Sequence, residues 1–137
     1  MFLSNNDKFK KVESKLYDYK KTKLEINVMK RNLDLLENDY INESSEDQVE
    51  LNDYGNQKEK IRELKYLIRI KEIEIQNIDN AFEILSEEEQ IFINERYFNH
   101  KANKYVAALL NIAEQTSCVF RNKLINKLIP ILVFDYL

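Results

Sequence analysis

Residues 86–128 read SEEEQIFINERYFNHKANKYVAALLNIAEQTSCVFRNKLINKL, and their pattern decides the fold. Three short helical patterns are separated by two tight turns, the arrangement of a helix-turn-helix unit. Ser86 followed three residues later by Glu89 forms a capping box, in which hydroxyl and carboxylate each satisfy a backbone amide that the first turn leaves without a helical acceptor. Ile91, Ile93, Tyr97 and Phe98 supply the apolar positions of the first helix. Tyr105, Val106, Ala107, Leu109 and Leu110 supply those of the second, which ends at Asn111, a residue tolerant of the left-handed backbone a sharp turn needs. Ile112 is expected to plug the core behind that turn. In the third helix Phe120, Leu124 and Leu128 recur every four residues with Arg121, Lys123 and Lys127 between them, which predicts one buried face and one cationic face.

A triplet of this size buries little, so the rest of the 137 residues must add stability. One Gly and one Pro, with 33% charged and 44% hydrophobic residues, leave almost no punctuation for strands and hairpins. The expected class is all-α. From about Asn5 to Tyr40 the residues Phe9, Val12, Leu16, Tyr19, Ile26, Leu33, Leu36 and Tyr40 recur at spacings built from threes and fours, predicting one long amphipathic helix. Residues 42–56 carry five acids, no Lys or Arg and the only Gly, and read as a solvated loop. From about Gln57 to Leu85 the series Ile61, Leu64, Ile68, Ile75, Ile78, Phe82 and Leu85 follows a heptad. The expected organisation is therefore an antiparallel, coiled-coil-like helical hairpin over 1–85 and a helix-turn-helix domain with an apolar C-terminal tail over 86–137. Leu67, Ile70 and Ile73 widen the second stripe beyond what one partner covers, which implies either the C-terminal apolar segment or a second copy of the chain. A homodimer is expected.

The net charge of −3 is unevenly distributed. Residues 99–128 hold Lys101, Lys104, Arg121, Lys123 and Lys127 against the single acid Glu114, a local charge of +4. The single Cys118 excludes an intrachain disulfide, and no apolar run approaches a membrane span or signal peptide, so a cytoplasmic protein without membrane contact is expected. No glycine-rich phosphate loop, Cys pair or His cluster is present; neither enzymatic activity nor a small-molecule substrate, cofactor or metal is expected. His100 reads as a surface residue or local hydrogen-bond partner in a turn, and Cys118 as a small helical residue rather than a nucleophile. The acids Glu87 to Glu89 are explained by the helix dipole.

Residues 82–128 resemble region 4 of bacterial sigma factors, and a charged helical hairpin ahead of such a unit is similar to the phage-encoded ArpU-type transcriptional regulators. The matching residues are Leu85, Glu87 to Glu89 and Arg96-Tyr97-Phe98 in the first helix, Val106-Ala107 in the second, and Leu110-Asn111-Ile112 in the turn. Thr116 opens the recognition helix and Lys127-Leu128 close it. The chain departs from the pattern at Ala102 and Ala113, which stand where serine N-caps are usual, and at Ser117 and Cys118, which stand where an apolar core residue and often an arginine are found.

The resemblance implies a transcriptional regulator, phage or prophage encoded, whose partners are double-stranded DNA and RNA polymerase. On helix-turn-helix geometry, Glu114, Gln115, Ser117, Cys118, Arg121 and Asn122 would face base edges in the major groove, with Gln115 and Asn122 suited to adenine and Arg121 to guanine. Lys101, Lys104, Lys123 and Lys127 would sit near phosphates. The competing expectation is a protein-interaction module with a degenerate helix-turn-helix and no DNA binding.

Overall fold

The computed structural model describes residues 3–44 and 51–133, and among them the chain is all-helical, without a strand. The helices are α1 (Asn5–Tyr17), α2 (Tyr19–Ser44), α3 (Leu51–Glu83), α4 (Glu87–Ile93), α5 (Asn103–Leu109) and α6 (Glu114–Leu132); α4 runs on into a π-helical turn, Asn94–Phe98. The all-α class is as expected. Two compact units divide the chain at 20/21 and 73/74, not at 85/86: one comprises residues 1–20 with 74–137, the other residues 21–73.

In the first unit one apolar core joins distant segments. Val12 and Leu16 of α1 are buried with Ile78, Ala81 and Leu85, with Phe92 and Ile93, with Tyr97 and Phe98, with Val106, and with Leu124, Ile125, Leu128 and Leu132 of α6. Where the spacing predicts one helix over Asn5 to Tyr40, the chain breaks at Asp18, whose backbone sits at φ −88°, ψ 4°. The carbonyl of Tyr17, which a continuing helix would give to the amide four residues on, instead accepts 2.8 Å from Nε2 of His100. Tyr97 donates to Glu13 at 2.7 Å, and Tyr19 donates to Asp79.

The π turn explains a second difference. Phe92 and Ile93 pair with Tyr97 and Phe98 at spacings of five, which would drift off one face of an α-helix but share a face across a turn with one extra residue. Phe92 is thus fully buried, while Ile91 of the expected apolar set is only half-buried. At the other end α6 continues through the exposed Pro130 to Leu132, because Ile129, Leu132 and Val133 all bury. The Leu132 carbonyl accepts 2.7 Å from Nζ of Lys15. The segment 134–137, part of the expected apolar tail, lies outside the described residues.

The second unit consists of the adjoining parts of α2 and α3. Among its described residues Ile26 and Ile68 are buried, and Glu25 meets Lys71 at 2.9 Å while Glu37 meets Lys65 at 3.5 Å. The partner number falls as the other rises, so the two segments run antiparallel. Hydrogen bonding to Lys71, together with its charge, holds the Glu25 carboxyl below its ordinary pKa. The expected loop over 42–56 is narrower than its composition suggests, since α2 reaches Ser44 and α3 starts at Leu51; residues 45–50 lie outside the described residues. A lone Gly lowers helix propensity by only about 1 kcal/mol, too little to end a helix, and glutamate is a good helix former.

Candidate nucleic-acid interface

The residues that would meet a ligand stand on the last three helical segments, whose mutual placement is fixed by caps and turns. At the start of α4, Glu89 N–H donates to Ser86 Oγ at 3.2 Å and Ser86 N–H to Glu89 Oε1 at 3.0 Å, the reciprocal capping box. Burial pulls the Glu89 carboxyl upward, but the Ser86 amide, the Lys127 ammonium and the Ser86 hydroxyl outweigh it and hold the pKa below the ordinary glutamate value.

Two left-handed residues turn the chain. His100 at φ 57° follows the π turn, and Asn111 at φ 58° follows α5. Around Asn111 the amide of Ile112 donates to the Ala107 carbonyl at 3.0 Å and the amide of Asn111 to that of Ala108 at 3.1 Å, the paired closure of a Schellman motif. Neither α5 nor α6 has a side-chain N-cap, as Ala102 and Ala113 dictate. A different residue ties the two helices together. Asn103, at the start of α5, donates through Nδ2 to the Glu114 carbonyl at 3.3 Å and to Cys118 Sγ at 3.7 Å, and accepts 2.7 Å from Ser117 Oγ.

These contacts redistribute the residues expected at base edges. Ser117 is fully buried, so its hydroxyl is committed to Asn103 and cannot reach a groove. Cys118 is half-buried beside the same asparagine. Arg121 follows Ser117 by four and precedes Leu124 by three, which puts it on the inward stripe of α6. Its guanidinium lies 5.8 Å from the Phe9 ring of α1, its Nε is buried without a hydrogen-bond partner, and its Nη2 donates to Asn122 Oδ1 at 3.3 Å. These three placements correct the expectation that Ser117, Cys118 and Arg121 face outward: Asn103 of α5 engages Ser117 and Cys118, and Phe9 of α1 lies against Arg121.

Glu114, Gln115 and Asn122 are exposed, as are Thr116, Val119, Lys123 and Asn126. Thr116, Val119 and Asn126 were not among the expected contacts, although their spacing from Lys123 places them on one face. Of the expected phosphate ligands, Lys104 and Lys123 are exposed, Lys101 lies 5.4 Å from the Tyr105 ring, and Lys127 is 3.3 Å from Glu89. From Gln115 to Val133 there is no acidic residue, so this outer face of α6 is neutral to positive throughout.

Among the described residues no group of three or more His, Cys, Asp or Glu side chains is placed to hold a metal, and no helix is long and apolar enough to cross a membrane. No protein-family model matches the chain, and neither does any curated protein or solved structure.

Proposed function

We propose that this chain is a DNA-binding transcriptional regulator, phage or prophage encoded, that lays the outer face of α6 in the major groove. One observation carries the reading: an exposed, acid-free helical face bearing Gln115, Thr116, Asn122, Lys123 and Asn126 follows a left-handed turn after a short helix. Lys123 and Lys104 are the phosphate contacts; Lys127 contributes less, because it would first have to leave Glu89. The DNA-bound form is a homodimer that touches RNA polymerase through residues outside α6.

The test is a salt titration of binding to a duplex from the promoter region beside its own gene. The affinity falls steeply with salt, and Lys123→Ala lowers the slope of log K against log salt by about one. No binding at about 50 mM salt would sink the reading.

A second reading draws on the second unit. Leu24, Val28 and Leu35 on α2, and Tyr66, Ile70 and Ile73 on α3, form exposed apolar stripes turned away from Ile26 and Ile68. Such surfaces favour a protein partner, and in this reading the chain is an interaction module without DNA binding.

A further inference from the structure

Resting on the DNA-binding reading, we infer that the outer face of α6 is built to read A·T pairs, with Val119 as a specificity-determining contact to the thymine methyl group. Val119 is 53% exposed in the middle of this face, four residues after Gln115 and three before Asn122, so the three side chains share one side of two helical turns. Seven residues of helix rise about 10 Å, which matches roughly three base-pair steps. Each residue type then has one complementary base edge. The side-chain amides of Gln115 and Asn122 offer the paired donor and acceptor that match adenine N7 and N6, and a β-branched apolar side chain matches the C5-methyl of thymine.

The face offers no free arginine to guanine, and its lysine, Lys123, stands at its edge. Arg121 is the only arginine of α6, and it is held inward against Phe9. Its remaining outward act is the hydrogen bond from Nη2 to Asn122 Oδ1, which leaves the Asn122 Nδ2 protons and the second Oδ1 lone pair for a base. Arg121 is thus a positioning residue for Asn122. Lys123 is suited to phosphate.

The experiment selects duplexes from a random pool with the full-length protein. The best duplex is then titrated at fixed salt, with thymine or uracil at each selected position, against the wild type and Val119→Ala. Selected sites are rich in A·T over three successive steps. At one position, removal of the methyl weakens the wild type roughly fourfold, as expected for one buried carbon, and leaves Val119→Ala unchanged. Arg121→Met shifts preference at the Asn122 step while leaving the thymine-to-uracil effect intact. Selection of G·C-rich sites, or an equal uracil effect in wild type and variant, would overturn the A·T assignment and leave DNA binding standing. Failure to enrich or bind any duplex at low salt overturns the DNA reading itself.

Discussion

Ser117 Oγ donates to Asn103 Oδ1 at 2.7 Å, and this buried bond fixes α6 against α5. Asn103 also donates to the Glu114 carbonyl, so one side-chain amide ties the first turns of the two helices together. Ser117→Ala and Asn103→Ala are each expected to cost about 1 to 3 kcal/mol, since either leaves a buried polar atom without its partner. Urea denaturation of the single and double variants measures the coupling, expected at about 1 kcal/mol; strict additivity would count against the bond.

At the entry to α4 the capping box makes stability depend on acid. The Glu89 pKa is lowered in the fold, so its contribution is fully present above the ordinary glutamate value of 4.5 and disappears as pH falls through the lower folded value. Ser86→Ala is expected to cost about 1 kcal/mol. Glu89→Gln should destabilise at neutral pH, with the difference from wild type shrinking in acid, as followed by thermal melts at stepped pH. A difference that grows in acid contradicts the assignment.

Two tyrosines should titrate late. Burial first, then the hydrogen bond to Asp79, pushes the Tyr19 phenol up to about 12, while burial and the bond to Glu13 drive Tyr97 higher still. Because the folded values are raised, the stability they confer is complete below the ordinary value of 10.0 and is lost as pH rises through the folded ones. Phenolate absorbance should therefore show Tyr97 ionising only as the protein unfolds, and Tyr97→Phe should remove that late phase. The same variant is expected to cost about 1.5 to 3 kcal/mol through the lost bond to a carboxylate.

The N-terminal helix is predicted to be indispensable to the C-terminal helices. Leu16→Ala should cost about 2 to 5 kcal/mol, because its side chain is enclosed in the shared core. Leu35→Ala, at an exposed position of α2, should stay within about 0.5 kcal/mol. Urea midpoints decide the matter, and equal shifts in both variants would refute the core assignment.

The periodicity and the scarcity of Gly and Pro are local properties, and they sufficed for the all-α class and for the turn at Asn111. The Ser86 and Glu89 cap was legible for the same reason, since it closes within four residues. Which face of α6 looks outward was not legible, because it depends on what packs against it. Ser117 and Arg121 read as polar and therefore external, yet Asn103 of α5 engages the buried Ser117, and Phe9 of α1, some hundred residues earlier in the chain, lies against Arg121. Likewise the break at Asp18 has no strong breaker residue beside it; it follows from the capture of the Tyr17 carbonyl by His100, 83 residues away. Side-chain spacing determined the helices and their apolar faces, whereas only long-range packing decided which side chains became interior and which, Gln115, Val119 and Asn122 among them, stayed exposed.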